Sequence, residues 1–187
     1  MHASKTFDFI IAGGGSAGCV LANRLTEDPA CKVLLLEAGK PDKHLWLKLP
    51  LKFRDLVTDP RFQWNYYSEP EPYLNNRRML VPRGKALGGS STINGMLYCR
   101  GHASDYDRWG QTGLSGWSYN SVLPYFKRSE NFHGGESEFH GGDGPLSISA
   151  GDRHSDAYRA YLAAGKARGH RNTDDHNGAV QDGFGPA

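Results

Sequence analysis

The chain has 187 residues, 38% of them hydrophobic and 22% charged, which describes a soluble protein with a modest core. Its 22 basic and 20 acidic residues leave a formal net charge of +2, and the Lys and Arg residues are scattered, so nucleic acid is not expected as a partner. No stretch approaches the roughly 18 apolar residues of a membrane-spanning helix, and the apolar run from Phe7 to Ala12 is too short for a signal peptide and leads straight into glycines.

That run, Phe7, Phe9, Ile10, Ile11 and Ala12, is nearly continuous and suits a strand covered on both faces, as in a parallel sheet. After the glycines, Ala17, Leu21 and Leu25 recur every four residues and predict a helix with one apolar face, closed in the region of Pro29. Val33–Leu36 is a second apolar run, again fit for a central parallel strand. Together they make a β-α-β unit of about thirty residues. Residues 40–82 hold six of the ten prolines, with Trp46, Trp64, Tyr66 and Tyr67 between them. They read as an irregular excursion with short helical turns, packed by its aromatics and long enough to suggest a function or a lid. Ser118–Glu130 predicts a helix behind a Ser or Asn cap, with Pro124 near its first turn or kinking it. Leu146 and Ile148 alternate with Ser147 and Ser149 as in a short strand. Ser155 or Asp156 caps a further helix carrying Tyr158, Tyr161 and Leu162, which Gly169 ends.

Gly13, Gly15 and Gly18 form G-x-G-x-x-G between the first strand and its helix. The first glycine permits a tight turn, the second lets the backbone approach a pyrophosphate, and the third lets helix and strand pack closely. The helix N-terminus then offers unpaired N–H groups to the phosphates. Glu37 stands nineteen residues after Gly18, at the end of the second strand, where it can accept ribose hydroxyls. The acid disfavours a 2′-phosphate and hence NADP; NAD and FAD both remain open on this motif. A second glycine-rich stretch, "GKALGGSSTINGMLYCRGHASDYDRW", starts at Gly84. Its glycines allow close backbone approach to a flat or anionic ligand and its hydroxyls donate to it, although a simple loop at Gly88-Gly89 explains the same residues.

The stretch "RGKALGGSSTIN" through Asp107, then "DYDRW", "GWSYNSVLPYFKRSE", "FHGGDGPLSIS" and "NTDDHNGAVQDGFG", resembles in that order the N-terminal part of the glucose-methanol-choline oxidoreductases over nearly the whole chain. "EPEPYLNNRRM" and "TDDHNG" point to the bacterial choline dehydrogenase and alkanol dehydrogenase branch. The resemblance implies an α/β fold, α+β overall: a Rossmann-like FAD-binding domain over residues 1–150 and the start of a substrate-binding domain over 151–187. It implies FAD, with Gly13, Gly15, Ser16, Ala17 and Gly18 at the pyrophosphate and Glu37 with Ala38 at the adenosine ribose. Gly88, Gly89, Ser90, Asn94, Gly95, Met96 and Leu97 then lie along the ribityl and flavin part. Some relatives attach the flavin covalently through a His just before the matching Asn; Ile93 stands there in this chain, so the expected flavin is non-covalent.

The chemistry the family implies is oxidation of a small-molecule alcohol, choline-like or alkanol, to an aldehyde: a base takes the hydroxyl proton and hydride passes to flavin N5. In the family that base, a histidine, and its partner lie far toward the C-terminus, with no matching position here, so no catalytic residue is assigned. His102 alone sits in the signature region; the other histidines read as surface or loop residues. Asp105, Asp107 and Trp109 are expected to anchor a loop. Asp174-Asp175-His176 lacks further ligands at metal spacing, so no metal site is expected. Cys19, Cys31 and Cys99 match no redox or metal pattern and read as reduced thiols of a cytoplasmic protein, with a membrane-peripheral role left open. "AVQDGFGPA" ends without a helix stop or strand end, which gives the expectation of a piece of a longer chain, inactive by itself. Two other readings stand beside this one, an NAD-dependent dehydrogenase and a non-catalytic flavin-binding module. The electron acceptor and the oligomeric state are not legible.

Overall fold

A computed structural model describes residues 6–149, 151 and 153–186. The chain divides into two compact units, Met1–Met96 and Leu97–Ala187. Among the described residues no helix is long and apolar enough to cross a membrane.

The first unit opens with the expected β-α-β arrangement. Strand β1 (Phe9–Ala12) pairs in parallel with β2 (Val33–Leu36), Phe9 opposite Val33 and Ala12 opposite Leu36, and helix α1 (Ser16–Leu25) connects them. The third glycine of the motif sets how closely α1 lies on the sheet. A Cβ at Gly18 would stand 1.9 Å from the Gly13 carbonyl oxygen and 3.3 Å from the Ile11 side chain, so no side chain fits. The strands are not covered on both faces, contrary to the reading of their apolar runs. Ile11 is buried, but Ile10 is 65% and Leu36 51% exposed. Among the described residues this sheet has two strands, and α1 covers one side only.

The excursion after β2 is built from short pieces. Two 3₁₀ turns (Leu45–Lys48 and Pro50–Lys52) run into α2 (Phe53–Leu56). Strand β3 (Tyr66–Tyr67) then pairs antiparallel with β4 (Leu80–Val81). The core of this region is Leu56, Phe62 and Ile93, with Trp46 and Leu47 packed against it. Trp46 therefore does pack the excursion, as expected of its aromatics. Trp64, Tyr66 and Tyr67 do not: all three are exposed. The extended stretch 83–87 threads between the two sides. Leu87 N–H donates to Lys40 O at 3.0 Å, Lys85 N–H to Phe62 O at 2.7 Å, and Trp64 N–H to Arg83 O at 3.0 Å.

In the second unit "DYDRW" lies in a helix: α3 spans Ala103–Gln111. The His102 side chain caps it by accepting Ser104 N–H, and Asp105 sits in its first turn, where negative charge suits the helix dipole. Asp107 does anchor, but from the helix, by accepting Tyr119 N–H at 3.0 Å. Helix α4 (Tyr119–Ser129) follows Ser118 as predicted, with Pro124 in its interior rather than its first turn. Tyr106 joins the two helices through ring contacts with Tyr119 and Phe126. Strands β5 (Glu130–Phe132) and β6 (Leu146–Ile148) pair in parallel. Helix α5 (Asp156–Ala167) is capped by Ser155, whose Oγ accepts Tyr158 N–H, and Gly169 follows it at φ +82°.

The centre of this unit is charged. Glu130 is fully buried and receives Arg100 Nη2 at 2.6 Å, Gly141 N–H at 2.9 Å and a His140 ring nitrogen at 3.0 Å, all on Oε1. The other His140 nitrogen lies 2.7 Å from Asp175 Oδ2. Arg100 Nη1 also donates to Phe139 O, and its backbone N–H donates to the Asn177 side chain. Burial pulls the Arg100 guanidinium down, but the hydrogen bond and charge of Glu130, with Tyr98 behind them, outweigh it and hold Arg100 above the usual arginine value. Removing one member of a buried pair strands the other's charge. Arg100→Met is therefore expected to lower stability by about 3–5 kcal/mol, read from the urea midpoint, with Arg100→Lys losing clearly less.

Candidate functional site

The site is built in the first unit, where two glycine loops meet. Gly13, at φ +100°, turns the chain out of β1, and its N–H closes the ladder by donating to Leu36 O at 2.7 Å. Helix α1 then begins behind Gly15, an extended N-cap with no side-chain cap and no acidic residue in the first turn. Its first N–H groups, those of Ser16, Ala17 and Gly18 among them, have no partner within the helix, and its first turn carries no acidic residue of its own. That is the arrangement an anionic group requires.

Glu37 leaves the end of β2 and turns back onto this loop. Its Oε2 accepts Gly14 N–H at 2.7 Å and its Oε1 accepts Gly39 N–H at 2.6 Å. Each oxygen keeps a further lone pair, so a ribose hydroxyl can be added without displacing either bond. The carboxylate thus has two tasks. It latches the glycine loop to the turn after β2, and it presents acceptors to the cleft. The latch was not foreseen from sequence.

The second glycine loop lies directly on the first. Gly88 N–H donates to Gly14 O at 2.6 Å, and Gly88 forms a β-bridge with Gly15. Gly89 sits at φ +56°, and a Cβ there would come 2.8 Å from Gly15 Cα. Both the backbone conformation and the close approach demand glycine. A 3₁₀ turn over Gly89–Thr92 follows. Its hydroxyls are used locally: Ser91 Oγ donates to Gly88 O and Thr92 Oγ1 to Gly89 O. Ser90 Oγ accepts Gly84 N–H at 3.1 Å, which leaves its own proton available to donate.

Around this junction opens a cleft of about 750 Å³. Of the residues predicted from sequence, Gly13, Gly15, Glu37, Ala38, Gly89 and Ser90 line it. Gly88 braces the junction from behind through its bond to Gly14. Asn94 and Met96 instead line a separate recess of about 80 Å³ with Phe53 and Leu56. There Asn94 Oδ1 accepts Met96 N–H at 3.0 Å and holds Met96 at φ +60°, while Gly95 faces the Phe53 ring. Leu97 begins the second unit. Ile93 is buried in the core of the first unit. Sequence reasoning missed Trp64, Tyr66 and Arg83 as walls of the cleft. Their signal was the W-x-Y spacing, and the two rings stack across Asn65, which has a left-handed φ of +54°.

The candidate histidines lie in the second unit. His102 is held as the cap of α3, with Nδ1 also 2.8 Å from Ser104 Oγ. His140 is enclosed by Glu130 and Asp175. His176 Nδ1 meets Gln181 O at 3.0 Å. Among the described residues no group of three or more His, Cys, Asp or Glu side chains is arranged to hold a metal ion.

Comparison with known proteins places these features in context. Residues 7–187 match the family described as GMC oxidoreductase. An oxygen-dependent choline dehydrogenase of Rhizobium etli (strain CIAT 652) is 52% identical over 178 residues, 95% of this chain and 32% of that protein. The crystal structure of a pyridoxine 4-oxidase from Mesorbium loti superposes with a TM-score of 0.88 at 35% identity, covering 95% of this chain and 35% of the other. An FAD-dependent oxidoreductase from Chaetomium thermophilum gives 0.72 at 36% identity, over 87% and 29% of the two chains. The chain spans about a third of the length of the curated relative it matches.

The contact between the glycine loops makes a direct prediction. Gly89→Ala forces a methyl into Gly15 from a left-handed backbone and is expected to cost about 1–3 kcal/mol. Gly95→Ala, with its nearest contact an ordinary 3.7 Å from the Phe53 ring, is expected to cost much less. Urea unfolding of the two variants side by side checks this.

Proposed function

The chain belongs to the GMC oxidoreductases, and from that premise we propose that its paired glycine loops hold FAD and that the whole protein oxidises a small-molecule alcohol at its CH–OH carbon. The observation that carries the reading is the junction itself: Gly88 bonded to Gly14 and Gly89 seated on Gly15, beside a cleft that Glu37 lines. Each part suits a part of the cofactor. The open N-terminus of α1, behind Gly13 and Gly15, takes the pyrophosphate. Glu37, its geometry fixed by two backbone N–H groups, accepts the adenosine ribose hydroxyls, with Ala38 beside it. Gly88, Gly89 and Ser90 bring backbone and a free hydroxyl proton up to the ribityl chain; the place of Asn94–Leu97 along the flavin rests on the family resemblance alone, since Asn94 and Met96 line the separate recess. The names of two similar proteins, an FAD-dependent oxidoreductase and an oxygen-dependent choline dehydrogenase, support the cofactor and a choline-like substrate; an alkanol is the alternative the resemblance leaves.

When bound, the isoalloxazine supplies the electron sink that accepts hydride from the alcohol carbon. The residues of this chain bind and orient; the base that takes the hydroxyl proton is assigned to the remainder of the whole protein. Ile93, which stands where some relatives carry the flavin-linking histidine, has no nucleophile and is directed into the core, so the flavin is held without a covalent bond. On this reading residues 1–150 serve the cofactor and those from 151 begin the substrate-binding part, in a cytoplasmic enzyme.

Titration of the purified chain, followed by flavin fluorescence, is expected to show FAD bound in preference to NAD, and acid precipitation is expected to release all flavin into the supernatant. Preference for NAD overturns the cofactor assignment; flavin retained in the precipitate overturns the attachment. Glu37→Gln places an amide nitrogen against a backbone N–H and removes the ribose acceptor's charge. It is expected to weaken FAD binding by about tenfold in the same titration.

A further inference from the structure

The dipeptide Asn-Gly occurs twice in the chain, at Asn94-Gly95 and at Asn177-Gly178. Asparagine is among the chemically labile residues, and a following glycine has no Cβ to shield its backbone nitrogen. That nitrogen is the nucleophile next in line to the asparagine side-chain carbonyl. The structure treats the two copies in opposite ways.

Asn177 is tied at every atom the chemistry would use. The residue is 6% exposed. Its Oδ1 accepts Arg100 N–H and its Nδ2 donates to Tyr98 O, each at 2.8 Å. Its own N–H donates to Asp175 Oδ1 at 2.8 Å, and Gly178 N–H donates to Asp175 O at 3.4 Å. The amide that would have to leave and the nitrogen that would have to attack are therefore both spent on other partners.

Asn94 is the reverse. It is exposed, just past the 3₁₀ turn at Gly89–Thr92, and Gly95 is exposed beside it. Its Oδ1 accepts Met96 N–H at 3.0 Å. A side-chain oxygen bonded to the N–H two residues on makes an Asx turn, which folds the side chain back along the peptide that follows it. The same bond polarises the side-chain carbonyl. Among the described residues neither Asn94 Nδ2 nor Gly95 N–H makes a hydrogen bond. The leaving amide and the attacking nitrogen are both free, on either side of a carbonyl held between them.

We propose that Asn94-Gly95 is a self-modification site, at which the folded chain converts its own asparagine to aspartate and isoaspartate. The Gly95 nitrogen bonds to Asn94 Cγ and the Cγ–Nδ2 bond breaks. The Gly95 amide proton leaves with the side-chain NH2 as ammonia, and a cyclic imide remains. Solvent water then opens the imide at one carbonyl to give aspartate or at the other to give isoaspartate. Nothing is oxidised or reduced, and no group bound in the cleft takes part, so the site stands apart from the FAD reading. Either product places a carboxylate where a neutral amide stood. Isoaspartate also routes the main chain through the former side-chain methylene, which removes the turn that holds Met96 at φ +60°.

The test is peptide mapping by mass spectrometry on the purified chain, aged at mildly alkaline pH in native buffer and, in parallel, in urea. An isoaspartate-specific methyltransferase reads the rearranged product. In native buffer residue 94 is expected to convert at least about tenfold faster than residue 177, whose hydrogen bonds must break first, and to give both products. In urea the two sites are expected to convert at similar rates. Gly95→Ala, whose Cβ shields the attacking nitrogen, is expected to slow residue 94 and leave residue 177 unchanged. Equal native rates at the two sites overturn the proposal, as does an Asn94 that converts in urea but stays an amide in native buffer. Aspartate without isoaspartate, or a Gly95→Ala chain that converts at the original rate, overturns it too, since direct hydrolysis then explains the product.

Discussion

Everything in the candidate site depends on backbone touching backbone. The Gly88 N–H reaches Gly14 O at 2.6 Å, and Gly89 is packed so closely on Gly15 that even a methyl group is excluded. Two loops more than seventy residues apart in sequence are joined by their peptide groups, with no side chain between them. An interface of this kind has almost no adjustable parts. Its geometry is set by peptide dimensions, so a ligand meets N–H groups in fixed positions and the loops need little reordering when it binds.

Glu37 extends that constraint to the sheet. A carboxylate at the mouth of a cleft is ordinarily mobile, but here both oxygens are held by backbone donors, one from the glycine loop and one from the turn after β2. Its charge therefore sits at a defined point beside the uncapped N-terminus of α1, which favours negative groups. On the proposed reading, the residue that orients the sugar also stabilises the loop that receives the phosphates. Loss of its carboxylate is felt twice, as a missing acceptor for the ligand and as orphaned N–H groups in the cradle.

How much of this could be read from the residues depends on whether the signal is local. The β-α-β unit was legible because its parts carry their own patterns: an apolar run, a glycine triplet, a four-residue repeat and a second apolar run. Glu37 was legible by spacing. The convergence of the two loops was an inference from resemblance, since no local property of Gly84–Ser90 says what it packs against. The helix at Ala103–Gln111 was missed because "DYDRW" is polar and aromatic. Its helical state rests on the His102 cap and on Tyr106 contacting Tyr119 and Phe126, a tertiary contribution that propensity does not register. Full burial of β1 and β2 was over-read. An apolar run shows that a strand is suited to a covered position, and the cover has to come from other parts of a fold. The Arg100–Glu130–His140–Asp175 network was invisible for the opposite reason, since its members lie up to 75 positions apart and each looks like an ordinary charged residue.

The two units show two ways of holding irregular chain in place. The second fixes its loops with buried charge: Glu130 Oε1 alone collects three donors, from Arg100, His140 and Gly141. Such a centre is demanding, because each member depends on all the others remaining paired. On the FAD reading, the first unit cannot use that device where it is to hold an anion, since a buried carboxylate or guanidinium in the cradle would compete with the ligand for the same donors and the same field. It relies instead on glycine, which brings peptide dipoles together and adds no charge, and it places its one carboxylate at the edge, where an uncharged sugar is to be held. The distribution of charge between the units thus follows from the task of the cleft. On the FAD reading, neutral backbone lies where phosphate is to bind and an acid lies where hydroxyls are to bind.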